Sequence, residues 1–220
     1  MKTTILSLLL MFVSSFSFAQ GHNDWAQFEK FTESNKQVTK PDVVFMGNSI
    51  TEGWCNQDPT FFTTNNYVSR GISGQVTSQM LVRFQSDVIQ LKPQAVVILA
   101  GTNDIALNNG YISLQHIFEN IVSMAELAKA HNIKVILCSI IPAHHYPWRK
   151  EVTTTIEDIK TLNGMLQTYA KKNKIAYADY YSSMVDEHDG LKKDYQRDEV
   201  HPNLAGYKVM EDIICKILKK

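Results

Sequence analysis

Apolar positions along the chain follow two spacings. Short strand-like stretches rich in apolar residues occupy residues 42–46, 67–70, 95–100, 134–141 and 175–179. Between and around them, over 24–38, 75–91, 113–131, 154–173 and 204–218, apolar residues recur three and four apart. The first pattern is that of strands covered on both faces of a parallel sheet, the second that of amphipathic helices. In 75–91 the helical face reads Met80, Leu81, Phe84, Val88 and Leu91, and Pro93 ends it. In 24–38, Trp25, Phe28 and Phe31 share one face, which predicts core positions for them. The polar stretches 54–66 and 182–203 read as loops. This alternation predicts an α/β architecture around a mainly parallel five-stranded sheet.

Three of the runs end in small polar turns: Gly47-Asn48-Ser49, Gly71-Ile72-Ser73-Gly74 and Gly101-Thr102-Asn103-Asp104. In one parallel sheet these turns open on the same edge, where ligands of open α/β sheets bind. Ser49 therefore stands where a reacting serine would. Serine is also a favoured helix N-cap, so this stretch alone leaves both readings open. The segment ahead of the last helix supplies Asp198-Glu199-Val200-His201-Pro202-Asn203. A serine hydroxyl needs a positioned imidazole to take its proton. The imidazole needs a carboxylate to hold its tautomer, and the developing oxyanion needs donors. Asp198 and His201, three residues apart, can meet within one loop. With Ser49 they complete the set that acyl transfer requires.

These four blocks, in this order across nearly the whole mature chain, resemble the GDSL-type, or SGNH, hydrolases. The resemblance implies a flavodoxin-like three-layer sandwich. It also implies Ser49 as nucleophile, His201 as general base and Asp198 as the residue orienting it. The Ser49 N–H, the Gly74 N–H and the Asn103 amide would then form the oxyanion hole. One position departs from the pattern: the family commonly has Asp where this chain has Asn48. Asn keeps the hydrogen-bonding capacity of the turn but not its charge. The turn also lacks the Gly-x-Ser-x-Gly elbow of α/β-hydrolases, which argues against that other serine-hydrolase fold.

Composition narrows the remaining possibilities. Lys2, the apolar residues 5–13 and Ser17-Phe18-Ala19 form a secretory leader, with cleavage expected after Ala19. Its apolar core is shorter than the ~20 residues of a membrane span. The expected organisation is therefore a signal peptide at 1–19 and a single domain at 20–220. The product would be periplasmic or secreted, with no stable membrane insertion. No cysteine near Ala19 offers a lipid-anchor site. Lys and Arg balance Asp and Glu at 22 each, and no basic stripe suggests nucleic acid. Cys55, Cys138 and Cys215 are too few and scattered for a disulfide scaffold or a zinc cluster, although a Cys55 bridge is open to an exported chain. Cys138, inside an apolar run, reads as a small buried hydrophobe.

Further residues carry weaker signals. His144 and Trp148 follow a strand, with His145 and Tyr146 between them. They can line an acyl or sugar subsite, or form a surface loop held by its prolines. The adjacent histidines have no ligand partners at metal-binding spacing, so no metal is expected. Trp54 and Tyr195 are expected near the site, and Asn48 beside the substrate. Arg70 reads either as an anion contact or as an ion-paired strand end, and Asp104 as a brace for its turn. The expected function is a cofactor-free serine esterase acting on a small-molecule or oligosaccharide ester. No stretch resembles an extended apolar lid or a long acyl channel, which favours short acyl groups, and export with loop aromatics favours O-acetyl groups on carbohydrate first of all. A lysophospholipase, thioesterase or general short-chain esterase would use the same machinery. A non-catalytic carbohydrate-binding protein on this fold would be expected to lack part of the triad. A nucleotide or redox flavodoxin-like protein would need a longer phosphate loop. Oligomeric state is not legible.

Overall fold

The computed structural model describes residues 24–219, so the leader expected at 1–19 lies outside the described residues. Its centre is a five-stranded, fully parallel sheet. The strands are β1 (Val43–Gly47), β2 (Tyr67–Gly71), β3 (Ala95–Leu99), β4 (Lys134–Cys138) and β5 (Ala176–Ala178). They lie in the order β2-β1-β3-β4-β5, so the direction of winding reverses at β1, where a doubly wound sheet opens a crevice. Register places Gly47 opposite both Gly71 and Leu99. The turns after β1, β2 and β3 therefore begin level with one another.

Alternate side chains of each strand enter opposite layers. Val44, Met46, Val96, Ile98 and Leu137 face an aliphatic core. That core is closed by α4 (Thr77–Phe84), α6 (Leu114–Ala130) and α7 (Thr155–Asn173). Val43, Phe45, Val97, Leu99 and Cys138 face the other layer, made by α2 (Ser49–Gln57), α3 (Pro59–Thr64), α8 (Tyr180–Met184) and α9 (Leu204–Leu218). This second core is aromatic: Trp54 stacks between Phe61 at 5.3 Å and Tyr207 at 5.7 Å, with Phe45 edge-on at 5.4 Å. The two short helices α1 (Thr32–Gln37) and α5 (Thr102–Ile105) complete the set.

Several elements differ from the pattern-based expectation. Residues 54–66 are mostly helical, not a loop. Asp58 caps α3 by accepting from the Phe61 N–H, and Pro59 occupies its first turn. Phe61 and Phe62 are thereby buried on the sheet. The 24–38 segment forms a 3-10 turn at Phe28–Phe31 and then the short α1. Trp25 and Phe28 are exposed rather than core, and the Arg70 guanidinium lies 4.6 Å above the Phe31 ring. The 75–91 helix converts after Phe84 into a π-turn at Gln85–Ile89. The stretch 182–203 contains the end of α8 and a 3-10 turn at Lys193–Tyr195. Cys55, Cys138 and Cys215 are all free thiols.

Candidate active site

Ser49 is the first residue of α2, and a glycine is required two positions earlier. A Cβ on Gly47 would lie 2.0 Å from Thr51 Oγ1, so close contact rather than an unusual dihedral selects glycine there. Asn48 caps the helix: its Oδ1 accepts from the Ile50 N–H at 3.0 Å. The turn therefore works with a neutral cap. Buried and folded onto its own helix, Asn48 does not line the cleft, contrary to expectation.

Ser49 Oγ lies 2.9 Å from His201 Nε2. His201 Nδ1 lies 2.9 and 3.0 Å from the two Asp198 oxygens, and the His201 backbone N–H also donates to Asp198 at 2.8 Å. Burial works against the Asp198 charge, but the His201 hydrogen bonds and charge outweigh it and hold the carboxyl below its ordinary pKa. The pair sits on a narrow hairpin. Gln196 bridges Pro202, the Arg197 N–H donates to the His201 carbonyl at 2.9 Å, and Asn203 caps α9. Glu199, between the pair, takes a left-handed φ of 70°, a costly conformation for a residue with a side chain.

The turns after β2 and β3 are cross-linked in the interior. Gly74 has φ 76° and open space where a side chain would be, and its N–H meets no acceptor among the described residues. Asn103 Nδ2 donates to the Gln75 carbonyl at 3.0 Å, which leaves its second N–H for the cleft it lines. Asp104 braces the start of α4 by accepting from the Thr77 N–H at 3.0 Å and from Thr77 Oγ1. Burial raises its pKa to about 6 against those hydrogen bonds.

Two bracing residues escape a reading by motif. Glu52, one helical turn beyond Ser49, accepts from the Ser73 N–H at 2.8 Å and from the Ser73 hydroxyl, and pairs with Lys30. Burial opposes its charge, but those partners prevail and lower its pKa. Arg83, fully buried, donates to Gln75 Oε1, Asp87 and the carbonyls of Gly47 and Arg70. One guanidinium thus ties together the ends of β1 and β2 and the loop after β2. Burial lowers its pKa, with Asp87 pulling the other way. The available signal was Arg83 and Asp87 falling on the apolar face with Met80, Phe84 and Val88.

These turns surround a cleft of about 630 Å³ lined by Ser49, Gly74, Asn103, Trp148 and His201 among others. Trp148 lies over His201, with ring centroids 6.3 Å apart and planes 28° apart, and its indole N–H is held by Asn108 Oδ1 at 2.9 Å. Tyr146, buried and bonded to Thr102 Oγ1 at 2.9 Å, pins that loop. Other expected contacts are displaced. Trp54 is wholly buried, its N–H on Glu211 at 3.1 Å, because the aromatic layer takes its ring. His144 opens on a separate pocket of about 280 Å³. Tyr195 lies against α9, outside the cleft. Arg70 is buried on Asn35, away from the cleft. Among the described residues, no cluster of His, Cys, Asp and Glu is suited to a metal ion.

An open parallel sheet with a serine, histidine and carboxylate at its switch-point edge defines a flavodoxin-like fold built around a serine-hydrolase-like constellation. Residues 45–209 match the model of the GDSL-like Lipase/Acylhydrolase family, and the chain belongs to that family. A solved structure from Bacteroides fragilis is 48% identical, with a TM-score of 0.87, over 89% of this chain and 97% of its own. A GDSL-like lipase from Bacteroides thetaiotaomicron is 46% identical at the same TM-score, over 89% of this chain and 98% of its own. The lipoprotein YqeF of Bacillus subtilis, uncharacterized in function, is 33% identical over 64% of this chain; the match spans 58% of YqeF's own length. No helix among the described residues is long and apolar enough to cross a membrane.

Proposed function

We propose that this protein is an exported serine esterase that cleaves short acyl esters, first of all O-acetyl groups on carbohydrate. The observation that carries the reading is the Ser49–His201–Asp198 relay, with both links at 2.9 Å. In that geometry Ser49 attacks the ester carbonyl as its proton passes to His201 Nε2, while Asp198 holds Nδ1–H and offsets the imidazolium charge. The tetrahedral oxyanion sits between the N–H groups of Ser49 and Gly74 and the free amide N–H of Asn103. The first of these has no intrahelical acceptor. His201 then protonates the departing alkoxide. Water, deprotonated by the same imidazole, cleaves the acyl-enzyme and returns Ser49.

The cleft supports short acyl groups and polar alcohols. Asn56, Gln57 and Asn108 line it, and Trp148 is its one large apolar wall among the described residues. An indole face beside the base suits a sugar ring. Export rests on the leader at 1–19, and the lipoprotein relative is consistent with it.

The test is hydrolysis of nitrophenyl esters from acetate to decanoate, beside acetylated xylo-oligosaccharides, with Ser49→Ala as the blank. Acetate release from sugar, with rates falling as the acyl chain lengthens, is expected. Preference for long chains without sugar deacetylation would assign a lipid or thioester hydrolase instead.

A further inference from the structure

One charged residue lining the cleft has no ion-pair partner among the described residues. Of the charged residues lining it, Glu52 is committed to Lys30 and Ser73. His201 is committed to Asp198. Arg197 lines the same cleft, yet its guanidinium has no carboxylate partner and no hydrogen-bond acceptor among the described residues. Its backbone is fixed all the same: the Arg197 N–H donates to the His201 carbonyl at 2.9 Å, and flanking Gln196 is held by Leu191 and Asn203. A cationic residue on a braced hairpin thus lines the cleft in the same segment that carries the base.

Direction follows from the chemistry. His201 must protonate the leaving alkoxide, so the alcohol part of the ester lies on the side of the His201 hairpin, away from Gly74 and Asn103. Arg197 belongs to that hairpin. We propose that Arg197 forms a subsite for an anionic group on the alcohol part of the substrate, so that the preferred esters are acylated acidic sugars. The inference rests on the hydrolase reading above. A planar guanidinium fork matches a carboxylate or a phosphate oxygen pair, and Asn56 and Gln57 line the same cleft, with the Gln57 amide donating to the Pro202 carbonyl at 3.1 Å.

The test compares three acetyl esters bearing the acetyl at the same hydroxyl: a methyl glucuronoside, a methyl glucoside and a methyl glucoside 6-phosphate. At low salt, kcat/KM for an anionic ester is expected to exceed that of the neutral one by about tenfold, the range of a charge-assisted hydrogen bond at a wet site. The ratio should shrink as salt screens it. Arg197→Gln should bring it toward one, and Arg197→Lys should keep part of it. The carboxylate and phosphate arms identify which anion the subsite prefers. Equal rates for charged and neutral esters, or a ratio unchanged in Arg197→Gln, would overturn the subsite. Calorimetric binding of the same three esters to Ser49→Ala separates this inference from the one beneath it. Anion preference in binding without wild-type turnover would keep the subsite and discard the hydrolase. Turnover without preference in rate or binding would do the reverse.

Discussion

The two sides of the proposed site are built by different means. On the nucleophile side, the turns after β1, β2 and β3 are knitted by buried polar groups: Arg83 on Gly47, Arg70 and Gln75, Asp104 on Thr77, and Asn103 on Gln75. On the base side, Asp198 and His201 ride a hairpin closer to solvent, with side chains 49% and 18% exposed. Backbone pairing and the Trp148 face hold that hairpin. Donors to an oxyanion gain most from a dry, rigid setting. A base that shuttles protons between serine, alcohol and water must stay within reach of solvent. Substitutions on the first side should therefore cost stability and rate together, and those on the second side rate alone.

Ser49→Ala, at the junction, should lower kcat by about 10⁵-fold or more while leaving the thermal midpoint and circular dichroism unchanged. Residual activity near wild type would remove the mechanism. Arg83→Met should break the knitted side most severely. It strands Asp87 and two carbonyls in the interior, at a cost of about 3–5 kcal/mol read from urea midpoints, with kcat falling in parallel. Loss of stability at full activity would show that the brace does not position the oxyanion donors. Asn103→Ala should lower kcat by about 10²–10³ with little change in KM; an effect confined to KM would reassign the amide to ground-state binding.

Asp104→Asn tests the same side through pH. A carboxyl whose folded pKa is raised, here from 3.8 to about 6, removes stability as pH climbs through that window, because the unfolded chain has already released its proton. The neutral amide should therefore gain on the wild type between pH 4 and pH 7, by about 1–3 kcal/mol. A constant difference across that window would mean the carboxyl titrates normally. The smallest effect belongs to the exposed side: Trp148→Ala should change kcat/KM by about tenfold or less without moving the thermal midpoint. A large drop in stability would show that the two sides are not separately built.

Legibility followed the same division between local and distant. The strand runs and the small-residue turns at their ends are local, so Ser49, Gly74, Asn103 and the Asp198–His201 spacing could be read one block at a time. Trp54 was misplaced because its segment, rich in Thr, Asn and Gln, looks like a loop. What buries it is Tyr207 and Glu211, the latter 157 residues away. His144 was misplaced because the direction a loop side chain takes depends on Tyr146 reaching Thr102. Arg83 and Glu52 went unread because a charge on a helix ordinarily means solvent. Here one is buried against backbone carbonyls and the other holds the loop carrying Gly74.

The last helix gives the molecule a built-in clock. Tyr207 closes α9 onto the Ile50 carbonyl at 2.9 Å, and Lys208 and Glu211 clasp Asp58 and Trp54. That docking also delivers the hairpin that leads into α9 and carries His201, 152 residues from Ser49. Ser49 therefore has no base until α9 docks, so recovery of ester hydrolysis on refolding would lag formation of the sheet and report that docking step.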